Sequence, residues 1–211
     1  MMEFKNFIFD LDGTLIDSTP SHVKAFKQAI SSSTIAEKSD SFNYEEMKGK
    51  RTIDVMTELG FSADEAMVLT KTKQEAYREL LSNGAVDLFV GVKECFQFLV
   101  NSNKRVFICT GASRPSVEII LKKFGLDEYI SDYVTGSDVS EAKPSPKILL
   151  ELLERNKLDH NDCVFIEDSM NGKLCGEGAF VQTIIVNNPE IQGRDDFTAF
   201  VDFYNFLRDE K

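Results

Sequence analysis

Two carboxylates stand two residues apart in Asp10-Leu11-Asp12-Gly13-Thr14-Leu15, directly after the short apolar run 4–9. That run is β-prone, which places the acids at the end of a buried strand. Unpaired charge at a strand end costs on the order of several kcal/mol, so the acids need a reason to be there. A metal ion or a phosphate site would supply it. Gly13 permits a tight exit from the strand. One acid can then act as nucleophile, and the other, just past the bend, can give and take a proton.

Three further segments end in groups of matching chemistry. Val106-Phe107-Ile108-Cys109 runs into Thr110-Gly111-Ala112. There the Thr110 hydroxyl and the Gly111 N–H can donate to phosphate oxygens, with Ala112 in the same phosphate-binding set. Lys143 sits in Ala142-Lys143-Pro144-Ser145-Pro146, where neighbouring prolines present it rigidly as a point charge for phosphate. Cys163-Val164-Phe165-Ile166 ends in Glu167-Asp168-Ser169. Asp10 and Asp168, with a backbone carbonyl nearby, make an oxygen-rich set suited to Mg²⁺. Glu167 ends the same strand and has the alternative role of a structural acid bonded to backbone. Thr110 has the alternative role of a helix cap before Pro115, but Ser113 is the better cap candidate.

These residues must be positioned by a framework, and the chain changes character along its length. Residues 18–86 carry helical patterns at 20–32, 44–47, 53–58 and 64–81, with Asp64 and Glu65 placed for the positive end of the last helix. Loops are expected at 31–34 and 39–41. From Asp87 onward helices and strands alternate. Helices are expected at 92–102, 115–124, 145–156, 171–179 and 197–207, and strands at 105–109, 133–135, 163–166 and 183–186. Such alternation implies an α/β fold, a Rossmann-like parallel sheet core flanked by helices. The first strand is separated from its partners by an all-α insertion of about 70 residues, too long for an ordinary loop. Sites in open α/β sheets form at the carboxyl ends of the strands. The insertion leaves from such an end, so it should cap the site. We expect residues 1–16 and 88–211 to form the core and 17–87 the helical cap.

A formal net charge of −11 over 211 residues argues against a nucleic-acid surface, while leaving room for a small anionic ligand held by local cations. No run approaches the ~18 apolar residues of a membrane span. The chain reads as cytoplasmic, with four scattered cysteines expected to be buried reduced thiols. The acidic balance allows a monomer.

Asp10-x-Asp12-Gly13-Thr14, Thr110, Lys143 and Glu167-Asp168 together resemble, in order and over the whole chain, the four motifs of the haloacid dehalogenase superfamily. The helical insertion is similar to that of members with a small cap, the β-phosphoglucomutase and phosphoglycolate phosphatase group. The resemblance implies that Asp10 attacks phosphorus and becomes an aspartyl phosphate. It implies that Asp12 protonates the leaving alcohol and then activates water. Thr110, the Gly111 N–H and Lys143 would hold the transferring oxygens, and Mg²⁺ would sit among Asp10, the Asp12 carbonyl and Asp168, with Glu167 in or next to its shell.

Dehalogenases and phosphonatases of the superfamily lack the acid found here at Asp12, so neither chemistry is expected. The mutase comparison is closer. His22 and the segment Lys71-Thr72-Lys73-Gln74-Glu75-Ala76-Tyr77 are similar to mutase features. However, mutases read Gly-x-x-Arg in the cap, whereas Gly49-Lys50-Arg51 puts the arginine one place early. One residue turns a helical side chain by about 100°. Thr14 is also the phosphatase choice where mutases often carry Val. The expected function is a Mg²⁺-dependent phosphatase acting on a small phosphorylated metabolite, with a β-phosphoglucomutase-type sugar phosphomutase as the alternative. His22, Arg51 and Lys73 either contact the organic part of the substrate or its second anion, or are ordinary helix-surface side chains. A phosphate-binding regulatory protein would have lost Asp10 or Asp168, and both are present.

Overall fold

A computed structural model describes residues 1, 3–33, 42–191, 193 and 196–209. Five parallel strands form one sheet in the order β3-β2-β1-β4-β5. They are β1 (Asn6–Phe9), β2 (Arg105–Thr110), β3 (Ile130–Thr135), β4 (Cys163–Glu167) and β5 (Gln182–Ile185). The order reverses at β1, which pairs with β2 on one side and β4 on the other. The registers Phe9↔Ile108 and Phe9↔Ile166 bring the ends of all three strands level. Three of the four segments singled out in the sequence, those after β1, β2 and β4, therefore converge beside the topological switch point.

Among the described residues, eight helices surround or extend this sheet: α1 (Thr19–Ser31), α2 (Thr52–Glu58), α3 (Ala63–Ser82), α4 (Val92–Asn101), α5 (Arg114–Phe124), α6 (Lys147–Arg155), α7 (Met170–Gly178) and α8 (Phe200–Asp209). Successive strand residues point to opposite faces, and both faces are buried. Phe7, Phe9, Val106, Ile108 and Ile166 pack with residues of α4, α5 and α8. Ile8, Phe107, Cys109 and Phe165 pack with residues of α6 and α7. All four cysteines are buried and free, and burial pushes the Cys95 and Cys109 thiols up.

Helices α1–α3 make a third apolar cluster of their own around Phe26, Ile30, Val55, Met56 and Leu69. The chain enters and leaves this insert at adjacent points. Asp17 N donates to Asp87 O at 3.0 Å, and Ile16 bridges Leu88 antiparallel. Among the described residues, no helix is long and apolar enough to cross a membrane.

Asp64 and Glu65 lie in the first turn of α3 as expected, and its cap is Ser62, joined to Glu65 in a reciprocal capping box. Two local expectations need correction. Helix α6 starts at Lys147 because Ser145 and Pro146 precede its first helical turn. Helix α8 starts at Phe200, since the Phe197 N–H is used to extend the sheet, donating to Ile185 O at 2.8 Å. Of the expected loops, residues 34 and 39–41 lie outside the described set.

Candidate active site

The end of β1 delivers Asp10, and Gly13 turns the chain away with a φ of +84°. A Cβ at Gly13 would collide with the Asp168 carboxylate, so glycine is required by contact as well as by conformation. The end of β4 delivers Glu167 and Asp168. Lys143, 1% exposed, reaches between the two strands and donates to Asp10 Oδ1 and Glu167 Oε1, both at 2.6 Å. Asp10, Glu167 and Asp168 offer carboxylate oxygens within 4.8 Å of one another, a buried cluster able to hold a divalent metal.

Glu167 is the best satisfied of the three. Its Oε2 accepts from Asp168 N and Ser169 N, both at 2.7 Å, and from Ser169 Oγ at 2.9 Å, while Oε1 takes Lys143. Four donors match the acceptor capacity of a carboxylate. Ser169 also caps α7 by accepting from Gly172 N. Gly172 carries no Cβ because one would strike the Glu167 carboxylate.

Burial raises the Asp10 carboxyl well above its usual range, with Lys143 opposing and the neighbouring carboxylates reinforcing. Burial and Glu167 push Asp168 up to about 7 against the pull of Lys48 and Lys143. Burial also works against the Lys143 ammonium, but Asp10 and Glu167 override it and hold its pKa well above the usual lysine value. This electrostatic frustration is what a positively charged ligand set would relieve.

Asp12 faces the other way, into the insert. The Tyr77 hydroxyl donates to Asp12 Oδ1 at 2.9 Å. His22 Nε2 lies 2.9 Å from the same oxygen, within ion-pair distance though off the hydrogen-bond axis. Burial alone would raise this carboxyl, but His22 and the hydroxyl override it and hold it below its ordinary value. His22 is stacked between Tyr44 and Tyr77, at 5.4 and 4.0 Å between ring centroids. Its Nδ1 is 2.7 Å from Lys73 Nζ. Burial and Lys73 lower the imidazole, and burial lowers Lys73 to about 7.

Asp10, Asp12, His22, Tyr44, Gly49, Lys50, Thr110, Gly111 and Ala112 line one cleft of about 30 Å³, roughly the space of one water. The insert is seated tightly on the core here. A Cβ on Gly111 would stand 2.5 Å from the Gly49 carbonyl oxygen. The Thr110 hydroxyl accepts from Ala112 N at 3.1 Å, which shapes the loop.

Arg51 is not in this cleft. It makes two 2.7 Å hydrogen bonds to Asp54 and one of 2.9 Å to Val139 O, tying α2 to the core. Arg51 and Lys143 instead line a neighbouring cavity of about 420 Å³, with Lys50 on the wall common to both spaces. Lys73 lies behind His22, its ammonium over the Phe26 and Tyr77 rings. Tyr44, Lys48 and Lys50 were missed by sequence reasoning. Lys48 and Lys50 flank Gly49, which was the only available signal.

Strand-end acids around a buried lysine, under a helical insert on a parallel sheet, define an α/β enzyme of the hydrolase type. The family model described as haloacid dehalogenase-like hydrolase matches residues 7–186, and the chain belongs to that family. Among curated relatives, protein CbbY of Rhodobacter capsulatus is 28% identical over 210 residues, covering 94% of this chain and 91% of that protein. A phosphorylated carbohydrates phosphatase of Thermotoga maritima is 27% identical over 184 residues, covering 84% and 82%. The fold matches a crystal structure of a hydrolase from Pseudomonas syringae with a TM-score of 0.82 at 23% identity, covering 97% of this chain and 98% of that one.

Proposed function

We propose that the chain is a Mg²⁺-dependent phosphatase that hydrolyses a small phosphomonoester, of the sugar phosphate type, through an aspartyl phosphate on Asp10. The observation that carries this reading is the buried Asp10–Lys143–Glu167 cluster, set level with Thr110 and Gly111 at the switch point of the sheet. The relationship to a phosphorylated carbohydrates phosphatase supports the substrate class.

In the first step an Asp10 oxygen attacks phosphorus and the bond to the leaving oxygen breaks, that oxygen taking a proton from Asp12. In the second, Asp12 takes a proton from water as the water oxygen attacks phosphorus. Asp10 is regenerated and inorganic phosphate leaves. The Gly111 N–H and Lys143 stabilise charge on the transferring oxygens. Asp12 is held below the ordinary carboxylate range, which suits the water-activating half of the cycle.

Asp10 and Asp168 are the carboxylates that would hold Mg²⁺, joined by the Asp12 carbonyl; Glu167 is committed to four hydrogen bonds and orients the cluster from outside. When bound, the ion supplies positive charge that keeps the nucleophile ionised and offsets the charge of the phosphoryl group. Residues 17–87 act as a cap that must lift to admit substrate, since the closed cleft has room for about one water. His22 orients Asp12, Lys73 supports His22, and Lys50 meets the organic part of the substrate. The engagement of Arg51 with Asp54 and Val139 weighs against the sugar phosphomutase alternative, which needs a cation for a distal phosphate.

The test is Mg²⁺-dependent release of inorganic phosphate across hexose phosphates, pentose phosphates, phosphoglycolate and nucleotides. Asp10→Asn should lower the rate by about 10³-fold or more. Conversion of β-glucose 1-phosphate to the 6-phosphate without phosphate release would instead establish the mutase.

A further inference from the structure

Lys48 belongs to the insert, yet its ammonium is 3.2 Å from Asp168 Oδ2 on the core, and its side chain is only 14% exposed. It is fixed there from both ends. Its own carbonyl accepts from Asn171 Nδ2 at 2.7 Å, near the start of α7. The ammonium also pairs with Glu45 at 3.0 Å. Asp168 is equally constrained: Asn188 holds its carbonyl at 2.8 Å, Thr14 Oγ1 lies 3.4 Å from Oδ1, and Gly13 packs against the carboxylate. Lys143 contacts Asp10 and Glu167, so among the described residues the cation in contact with Asp168 is Lys48.

We infer that Lys48 is a competitor of the divalent cation, an ammonium latch that closes the insert on Asp168 and must leave when the metal binds. The inference rests on the phosphatase reading only in taking Asp168 as a metal-binding carboxylate. A divalent ion taking Asp168 Oδ2 would stand in contact with the Lys48 ammonium, whose other partner, Glu45, is exposed, whereas Lys143 beside Asp10 keeps the buried Glu167; the repulsion therefore falls on Lys48. Binding of the ion therefore costs the Lys48–Asp168 contact, and by linkage the ion loosens the insert from the core. The catalytic cluster is thus neutralised in turn by a side chain and by a metal, and the exchange couples metal loading to opening of a cleft that is otherwise closed.

The experiment is a titration of the full chain with Mn²⁺ alone, without substrate, by calorimetry and by the spin-resonance signal of free Mn²⁺. Lys48→Met should bind about tenfold more tightly than the wild type, and Lys48→Arg no more tightly than the wild type. Equal or weaker binding by Lys48→Met overturns the proposal. Hydrogen exchange on the wild-type chain needs no variant. Adding Mg²⁺ should speed exchange at amides 45–50, and unchanged or slower exchange there also overturns it. Because no turnover is read, a flat titration alongside Mg²⁺-dependent phosphate release sinks the latch and leaves the phosphatase standing, while the opposite pair of results does the reverse.

Discussion

Lys143 and Lys73 are both at most 4% exposed and both stand behind an acid of the DxD pair, but their surroundings differ. Lys143, between two carboxylates, is held firmly charged. Lys73 touches an imidazole and two aromatic faces, with no carboxylate of the described residues in contact, and its pKa falls to about 7. Burial acts alike on both ammonium groups, so the partner decides the outcome. On the core side the lysine is a fixed charge between two carboxylates. On the insert side it is an adjustable neighbour of His22, which in turn stands beside Asp12.

The harshest way to break the comparison is Lys143→Met. It strands Asp10 and Glu167 in a dry site, and stability should fall by about 3–5 kcal/mol, read as a lower urea midpoint at unchanged slope. A loss under about 1 kcal/mol would mean that the carboxylates find other neutralisation. Lys73→Met sharpens the contrast through pH. The folded lysine titrates near 7 against an ordinary 10.5. Between those values the unfolded chain holds a proton that the folded chain has given up, so wild-type stability should rise with pH by about 1.4 kcal/mol per unit. Below the folded value the full penalty remains, and above the unfolded value it is gone. Lys73→Met should lack that rise, and parallel denaturation curves for the two chains would end the distinction. The mildest test is Tyr77→Phe, which removes one donor from Asp12. Its kcat should drop by about tenfold, with the acid limb of the pH profile moved upward.

Much of the core was legible because its chemistry lies at strand ends. Apolar runs locate a strand, and an acid, Thr or Gly directly after it must fall on the same edge of a parallel sheet. Asp10, Thr110, Glu167 and Asp168 follow from that rule. Lys143 lies on a loop and was placed by its proline setting and by the family pattern. The insert was less readable. Its helices show in the periodicity, but the reach of Lys48 to Asp168 depends on how two separately packed layers meet, which no local pattern encodes. Arg51 was a candidate for the substrate because its spacing from Gly49 was visible, whereas its partner Val139 is 88 residues away. Asp64 and Glu65 were legible as acids of the first turn of α3, whereas Ser62 as its cap follows only from the reciprocal bond to Glu65.

The neighbouring attachment points of the insert have an architectural consequence. Asp17 and Asp87 are joined by a single hydrogen bond, and Ile16 bridges Leu88 beside them. A segment whose two ends meet in this way adds no length to the connection it interrupts, so the sheet keeps its register whatever is spliced between them. The same foundation can therefore carry different helical superstructures. A chimera exchanging residues 17–87 for those of a relative would change the walls of the cleft, together with His22, Lys73 and Tyr77 beside Asp12, while keeping the strand ends that carry Asp10, Thr110 and Glu167.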